Sequence, residues 1–296
     1  MTLAARGAFL LIGLLLAAPS LAGQVSHHRF HSETLGRDYP YTLYLPDGYH
    51  ESGLDYPVIY LLHGSFGSAR DWTTRGALEA VVDRQIRRGR MPPAVIVMPG
   101  SQSWWVDGHN EPARTAFFED LLPHVEAVWR VVPEREWRGV AGLSAGGFGT
   151  VNFILERPEL FAAAAALSPA SYHPLPPADS TAREHPAFQT PENRFDAALW
   201  QRLNYPTHLD GYLAQDFVVP LYLSAGRRDA FDAVAHARRL QAALEAKQPG
   251  QVPLDVLGGG HTWGVWRASL PRALDFMFEY LQPPRGSRVK APPNPR

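Results

Sequence analysis

A glycine-flanked serine is the residue of this chain best placed to do chemistry. Residues 142–146 read Gly-Leu-Ser-Ala-Gly, which places Ser144 in the pattern Gly-x-Ser-x-Gly. An apolar run precedes Ser144 and a small-residue segment, 145–150, follows it, so a strand should turn sharply into a helix at this point. Only small residues fit two positions to either side of such a turn, and Gly142 and Gly146 meet that requirement. The pattern therefore predicts a nucleophilic serine whose hydroxyl stands above a sheet, beside a helix N-terminus.

A serine hydroxyl is a poor nucleophile at neutral pH, so it needs a histidine base and an acid that orients the histidine. Where the serine lies on such a turn, the chain order is serine, acid, histidine. Of the histidines after Ser144, only His261 follows a strand-like run and precedes a helical pattern. It closes the loop 258–261, Gly-Gly-Gly-His, whose glycines let the chain fold back toward the serine. We therefore predict His261 as the base.

The acid is expected at the end of the preceding strand, and two carboxylates lie there. Asp229 and Asp232 both follow the apolar run that ends at Gly226. Asp232 also fits a simple role at the start of the next helix, where a carboxylate stabilises the first turn. Asp229 is therefore the better candidate for the acid. Asp255 ranks third because it lies inside the last predicted strand.

A serine hydrolase also needs backbone amides that stabilise the oxyanion of its tetrahedral intermediate. One amide should come from Ala145, the residue after the nucleophile. The other should come from the loop after an early strand, where Gly64 permits a turn that aims the amide of Ser65 or Phe66 at the site. Each such donor lowers the barrier by about 3 kcal/mol. His63 is interpreted as a residue that supports this turn.

Tryptophans near the predicted strand ends are candidates for the substrate pocket. Any one of them could belong to the core instead, but as a group at strand ends they favour an aromatic-lined pocket. The candidates are Trp72, Trp104, Trp105, Trp263 and Trp266.

The overall composition excludes several function classes. The chain has 296 residues, of which 45% are hydrophobic, enough for one large core. Lys and Arg total 28 against 29 Asp and Glu, so the basic footprint of a nucleic-acid-binding protein is missing. The absence of cysteine excludes disulfides and thiolate chemistry. His and carboxylate residues lack the spacing of a zinc protease motif, so we expect neither a metal nor a cofactor.

The two ends of the chain are expected to lie outside the catalytic domain. Residues 1–22 read as a signal peptide, with Arg6 followed by an apolar stretch and small residues before a cleavage point after Ala22. An uncleaved membrane anchor is the alternative. After cleavage no stable membrane span is expected, and the mature protein would lie in the periplasm or the medium. The Pro-rich, basic residues 283–296 are predicted to be disordered.

Between the ends, strand-like apolar runs alternate with helical stripes, which predicts one α/β domain over residues 23–282. Its sheet should be mainly parallel and covered by helices on both faces. One predicted strand covers 218–223, and a helical stripe near the end covers 270–281. Residues 169–216 interrupt the alternation with many prolines and aromatics. They follow a strand end, where open α/β sheets form their sites, so we interpret them as a cap.

These residues together resemble the bacterial esterase D-like family of α/β-hydrolases. The family includes enterochelin, feruloyl and acetylxylan esterases, S-formylglutathione hydrolases and mycolyltransferases. The similarity runs from about Tyr41 to Leu281. The segments that carry it are Tyr-Leu-Leu-His-Gly at 60–64, Asp71-Trp72, 95–99, 121–126, 141–147, 157–161, Gly226 with Asp229, and Gly260-His261 followed by Trp266.

The resemblance implies an α/β-hydrolase fold with Ser144, Asp229 and His261 as the triad and with oxyanion amides from Ser65 and Ala145. Two positions depart from the family pattern. Ala145 stands where many members have Met, and Gly100 stands where many have Asp. Neither departure removes a catalytic group. Both alter the shape of the pocket, so the substrates of the family are a weaker guide to the substrate of this chain.

The sequence thus predicts an exported serine carboxylesterase. An acyltransferase that uses the same triad is the first alternative, and a non-catalytic binding protein of the same fold is the second. The expected partner is a small-molecule, glycan or siderophore ester. A plant cell-wall acyl ester and a small lipid ester would fit an aromatic pocket equally well. The oligomeric state is left open.

Overall fold

The computed structural model describes residues 22–287, so almost all of the predicted signal peptide and the end of the predicted tail lie outside the described residues. The strands are β1 (Gln24–Ser32), β2 (Arg37–Leu45), β3 (Leu54–Asp55), β4 (Val58–Leu62), β5 (Val95–Pro99), β6 (Arg138–Leu143), β7 (Ala163–Leu167), β8 (Leu221–Gly226), β9 (Leu254–Leu257) and β10 (Arg285–Gly286).

The helices are α1 (Asp71–Thr74), α2 (Leu78–Arg87), α3 (Ala113–Ala116), α4 (Leu122–Val128), α5 (Ala145–Glu156), α6 (Ala197–Arg202), α7 (Pro206–Ala214), α8 (Ala233–Glu245) and α9 (Trp263–Met277). A π-helical turn, Phe117–Leu121, joins α3 to α4.

Eight strands form one sheet in the order β1-β2-β5-β4-β6-β7-β8-β9. The pairs from β5 to β9 are parallel, whereas β1 and β2 join the sheet antiparallel at one edge. Strand β5 lies on one side of β4, and β6 to β9 follow on the other side. The carboxyl ends of β4 and β6 therefore meet near the point where the strand order reverses. Open α/β sheets place their ligands at that point.

Both faces of the sheet are covered, as the continuous apolar runs predict. Along β4, Val58, Tyr60 and Leu62 pack into one core cluster while Ile59 and Leu61 pack into the other. The first cluster lies under α4, α5 and α8, and the second lies under α2 and α9. The predicted fold, a mainly parallel sheet flanked by helices, is confirmed.

Element boundaries differ from the sequence expectation in three places. The strand expected over 218–223 is β8, which begins only after Pro220, a residue that cannot donate a ladder hydrogen bond. The helix expected from the stripe 270–281 begins earlier, at Trp263, two residues after His261, and ends at Met277. Strand β1 was not predicted, since its polar residues give no apolar run.

The start of the predicted disordered tail is ordered, which corrects that expectation for residues 283–287. Strand β10 pairs antiparallel with β3. The indole of Trp137 donates to the Pro283 carbonyl over 2.8 Å. Arg285 Nη2 lies 2.9 Å from Glu134 Oε1. These contacts supply the hydrogen bonds and the ion pair that composition alone did not indicate.

The insertion, residues 169–216, is a packed layer. It contains α6 and α7, and Trp200 lies fully buried in it. The Trp200 ring stacks on Phe148 of α5 with 5.2 Å between centroids and meets Phe188 edge-on at 5.0 Å. Aromatic pairs at such distances stabilise a core beyond the area that they bury. The insertion is therefore anchored directly on the helix that follows Ser144.

Across residues 22–287, the helices all fall short of the length and apolar character needed to span a bilayer.

Candidate active site

Ser144 lies on a strained turn between β6 and α5. Its backbone has φ 53° and ψ −115°, a conformation that few non-glycine residues adopt. A Cβ atom added to Gly142 would lie 2.4 Å from the Gly146 carbonyl oxygen, and one added to Gly146 would lie 2.5 Å from the Leu62 carbonyl oxygen. Both distances are too short for any side chain. The glycines therefore let the turn close tightly against β4.

The three residues predicted to work together lie in hydrogen-bond contact. Ser144 Oγ lies 2.8 Å from His261 Nε2, and His261 Nδ1 lies 2.7 Å from Asp229 Oδ2. A neutral imidazole that donates from Nδ1 to the carboxylate accepts the serine proton at Nε2. The Asp229 side chain is 1% exposed and the His261 side chain is 14% exposed. The arrangement can deprotonate the hydroxyl and hold the resulting imidazolium beside a buried carboxylate.

Neighbouring loops hold the acid and the base in place. The Phe231 amide donates to Asp229 Oδ1 over 3.0 Å, which leaves Oδ2 for the histidine. The Arg228 amide donates to the Gly259 carbonyl over 2.8 Å, so the loop after β8 is tied to the loop after β9. The ring of Phe231 meets the His261 ring edge-on at 4.9 Å. The imidazole is thus restrained by a hydrogen bond and by packing.

The other two carboxylates considered from the sequence lie elsewhere. Asp232 is exposed and immediately precedes α8, in a left-handed conformation with φ 54°. Asp232 therefore lies at the start of the helix, as expected, but its side chain makes no cap hydrogen bond to that helix. Asp255 accepts from the Tyr222 hydroxyl and from Arg272, each over 2.8 Å. Asp229 is the carboxylate that contacts His261.

The predicted oxyanion donors lie on two segments that meet beside Ser144. Ala145 is the first residue of α5, and first-turn amides have no partner within their own helix. Gly64 and Ser65 line the same cavity as Ser144. A Cβ atom added to Gly64 would lie 3.5 Å from Ser144 Cβ. Phe66 is 65% exposed, and its ring contacts the His185 ring with 4.7 Å between the centroids. The loop after β4 therefore approaches the nucleophile at Gly64 and Ser65.

His63 supports this loop as a neutral, buried residue. The Ser101 amide donates to His63 Nε2 over 3.0 Å, so the proton of the imidazole must sit on Nδ1. Nδ1 then donates to the Gly64 carbonyl over 2.7 Å. Burial lowers the pKa of His63, which keeps this tautomer uncharged. The structure thus gives His63 the contacts of a turn-supporting residue, as interpreted from the sequence.

The tryptophans predicted for the pocket divide into two groups. Trp104, Trp263 and Trp266 line a cavity of about 180 Å³ that contains Ser144 and His261. Trp72 and Trp105 do not line it, which corrects that part of the prediction. Their indoles are buried behind the loop after β4, where they donate to the carbonyls of Leu62 and His63 over 3.0 and 3.1 Å. These hydrogen bonds support the end of β4 and the start of the loop that follows it.

The insertion supplies one wall of the cavity. Tyr172, Ser180 and Thr181 line it from that side. Burial raises the pKa of Tyr172, so the phenol stays neutral. Asp71 and Arg75 also line the cavity, and Arg75 stacks over Trp263 at 5.2 Å. Sequence reasoning missed these five residues, because a cap and a short helix carry no motif that indicates which side chains face inward.

Within residues 22–287, the His, Asp and Glu side chains form no group of three that could hold a metal ion. A parallel sheet with a serine on a strand-to-helix turn, and with an acid and a histidine on the following loops, defines the α/β-hydrolase class.

Comparison with known proteins gives the family. The family model "Putative esterase" matches residues 32–277. The chain therefore belongs to the Esterase family, and the enzyme class predicted from its sequence, a hydrolase of carboxylic esters, is the class of that family.

The curated proteins that match part of the chain include the following two. Esterase Rv1288 of Mycobacterium tuberculosis is 36% identical over 153 residues, which make up 49% of this chain and 32% of that protein. An endo-1,4-beta-xylanase/feruloyl esterase of Xylanibacter ruminicola is 30% identical over 162 residues, or 51% of this chain and 22% of that protein. The alignments span about a third or less of each relative.

The solved structures that share the fold over most of their length include the following two. A ferulic acid esterase superposes with a TM-score of 0.73 and 24% identity, covering 89% of this chain and 100% of that chain. FphF, a fluorophosphonate-binding serine hydrolase of Staphylococcus aureus, superposes with a TM-score of 0.72 and 18% identity, covering 87% of this chain and 99% of that chain. At these identities the likeness establishes the fold alone.

Proposed function

We propose that this chain is an exported serine esterase that cleaves carboxylic esters through an acyl-enzyme on Ser144. The observation that carries the proposal is the continuous path from hydroxyl to carboxylate, 2.8 Å from Ser144 Oγ to His261 Nε2 and 2.7 Å from His261 Nδ1 to Asp229 Oδ2. Membership in the Esterase family supports the same reaction.

In the acylation half-reaction, His261 Nε2 removes the hydroxyl proton as Ser144 Oγ attacks the ester carbonyl. The carbonyl oxygen becomes an oxyanion, which the amide of Ala145 and an amide at Ser65 or Phe66 stabilise. His261 then donates its proton to the departing alcohol, and the C–O bond of the ester breaks. The acyl group stays on Ser144, and the imidazole is neutral again.

In the deacylation half-reaction, water takes the place of the alcohol. His261 accepts a proton from the water as it attacks the acyl carbonyl, and a second oxyanion forms in the same position. Collapse of this intermediate releases the carboxylic acid and returns the proton to Ser144 Oγ. Asp229 stabilises each imidazolium through its contact with His261 Nδ1. If a sugar or lipid hydroxyl replaced water, the same steps would transfer the acyl group instead.

The cavity supports a substrate with a small or flat acyl group. Its volume is about 180 Å³, and Trp104, Trp263 and Phe231 contribute its aromatic lining. Relatives and structural neighbours are named as feruloyl, ferulic acid and enterobactin esterases. For this chain we propose an ester of a small aromatic acid, within the class of small-molecule, glycan or siderophore esters expected from its sequence.

The decisive experiment measures hydrolysis of short p-nitrophenyl esters and labelling by a fluorophosphonate probe. We expect the natural chain to turn over the esters and to be labelled, and Ser144→Ala to lose both properties. Ser26→Ala is the matched control, because the Ser26 hydroxyl lies on strand β1, 2.7 Å from His28 Nε2, and Ser26 does not line the cavity. Ester turnover by Ser144→Ala would refute the mechanism, and an unlabelled natural chain would favour a binding protein.

Two further measurements address acyl acceptor and location. Mass spectrometry of the products, with alcohols and sugars added, separates hydrolysis from acyl transfer. Mass spectrometry of the protein recovered from a secreting host tests export, since cleavage after Ala22 would leave Gly23 as the first residue. An intact N-terminus on protein that stays in the cytoplasm would contradict the export proposal.

A further inference from the structure

A hydrogen bond between two residues of the cavity wall fixes the role of a hydroxyl group. The indole nitrogen of Trp104 lies 3.0 Å from Ser65 Oγ. An indole N–H only donates, so Ser65 Oγ must be the acceptor. The hydroxyl keeps its own proton for a further acceptor. Among residues 22–287, the structure gives Ser65 Oγ no partner besides Trp104.

The Trp104 ring is held rigidly, so the hydrogen bond that it makes is preset. Trp104 is 1% exposed. Its ring meets the rings of Phe148, Phe188 and Trp200 edge-on, at centroid distances between 5.7 and 5.9 Å. Phe148 belongs to α5, and the other two belong to the insertion. The indole therefore sits in a fixed aromatic cluster that includes the helix carrying Ala145.

Ser65 belongs to the same cavity wall as the predicted oxyanion amides. Ser65 and Ser144 line the same cavity, together with His261. The preceding residue, Gly64, approaches Ser144 so closely that a Cβ atom on it would lie 3.5 Å from Ser144 Cβ. A hydroxyl donor on this wall, next to the predicted oxyanion amides, is therefore a candidate partner for the carbonyl oxygen of an ester attacked by Ser144.

We propose that the Ser65 hydroxyl donates a third hydrogen bond to the oxyanion, with Trp104 as the positioning residue that orients it. The inference rests on the proposed esterase function and deepens it. Because Trp104 occupies one acceptor site of the hydroxyl, the O–H proton remains available for donation into the cavity when substrate arrives. A preset donor stabilises the transition state without the cost of reorganising when charge develops.

The test compares kcat and KM for p-nitrophenyl acetate in four variants. Ser65→Ala removes the hydroxyl and keeps the backbone amide, Ser65→Thr keeps the hydroxyl, and Trp104→Phe keeps a ring but removes the N–H. The double variant combines Ser65→Ala with Trp104→Phe. Ser26→Ala, on strand β1 with its hydroxyl 2.7 Å from His28 Nε2, is the control that should keep full activity.

We expect Ser65→Ala to lose between about tenfold and a hundredfold in kcat, the range for one hydrogen bond to a charged group, with KM unchanged. Ser65→Thr should retain most of kcat. Trp104→Phe should lose less than Ser65→Ala, and the double variant should match Ser65→Ala, because both changes act through one hydroxyl. A boronic acid that mimics the tetrahedral intermediate should bind Ser65→Ala more weakly by a factor similar to the loss in kcat.

Full kcat in Ser65→Ala, or losses that multiply in the double variant, would overturn the proposal. If Trp104→Phe does not fold, the contrast between Ser65→Ala and Ser65→Thr still decides it. Ser144→Ala distinguishes a failure of the third donor from a failure of the esterase mechanism. If Ser144→Ala is inactive and Ser65→Ala is fully active, only the third hydrogen-bond donor is refuted. If Ser144→Ala is active, the esterase mechanism itself is refuted.

Discussion

The ring of Phe66, in the loop after β4, leans on the ring of His185, in the insertion, with 4.7 Å between their centroids. His185 also lies 6.2 Å from the Trp104 ring. The loop that carries the predicted oxyanion donors is therefore in contact with the layer that walls the cavity. A change in the charge of His185 would act at this contact.

His185 should make the fold sensitive to acid. Burial, with a smaller contribution from His63, lowers the pKa of His185 from its ordinary 6.5 to about 4. A lowered native pKa means that the unfolded chain binds the proton first as pH falls. The stability linked to neutral His185 is thus present above pH 6.5 and is lost as pH falls toward about 4. We expect Tm to drop across that window.

His185→Asn is the matched variant for this test. The Ala187 amide donates to His185 Nδ1 over 3.2 Å, and an asparagine oxygen can accept the same bond without titrating. We expect the variant to lose less Tm between pH 7 and pH 4 than the natural chain does. Equal losses in the two proteins would show that His185 does not contribute to the acid sensitivity.

The two neighbouring aspartates should respond very differently to loss of charge. Asp229→Asn presents an amide to His261 Nδ1 and favours the wrong tautomer, so kcat for p-nitrophenyl esters should fall by about 10³- to 10⁴-fold. Asp232→Asn should leave kcat unchanged, because that carboxylate is exposed at the start of α8. The reverse ranking would assign the acid role to Asp232.

The turn that carries Ser144 should not tolerate a methyl group. Gly146→Ala would place its Cβ 2.5 Å from the Leu62 carbonyl oxygen, so the backbone of β4 or α5 must shift. We expect a loss of about 1–3 kcal/mol in the free energy of unfolding, measured by urea denaturation, together with a loss of activity. Gly258→Ala is the control, since open space surrounds that position. Equal stability of the two variants would contradict the close packing at the turn.

Trp72 and Trp263 test the division between supporting and lining tryptophans. Trp72→Phe leaves the buried Leu62 carbonyl without its donor, so the free energy of unfolding should fall by about 1–3 kcal/mol. Trp263→Leu changes the cavity wall and should raise KM for aryl esters more than it changes stability. A raised KM in Trp72→Phe with no loss of stability would reverse the assignment.

Much of the site could be predicted because its chemistry restricts the sequence. The close approach at Gly142 and Gly146 leaves a readable pattern around Ser144. The fixed order of nucleophile, acid and base then selects Asp229 and His261 from many alternatives. The sheet could be predicted as well, since strands buried on both faces read as continuous apolar runs.

The pocket could be predicted only in part, because loop residues carry no periodicity. Trp104 and Trp105 are adjacent, yet Trp104 lines the cavity and Trp105 lies behind it. Trp105 has φ 62°, and this left-handed turn sends the two rings to different sides. The sequence holds no signal for that conformation at a tryptophan. Strand β1 escaped prediction for a related reason, since a polar edge strand looks like a loop.

The pairing of β10 with β3 has a practical consequence for immobilising the protein. Strand β3 precedes β4 and so lies toward the amino ends of the parallel strands, whereas Ser144 lies at their carboxyl ends. The link between Arg285 and Glu134 holds the last described residues at that remote end. A bead or electrode attached beyond residue 287 would therefore hold the protein at the end remote from Ser144 and leave the entrance of the cavity facing the solution.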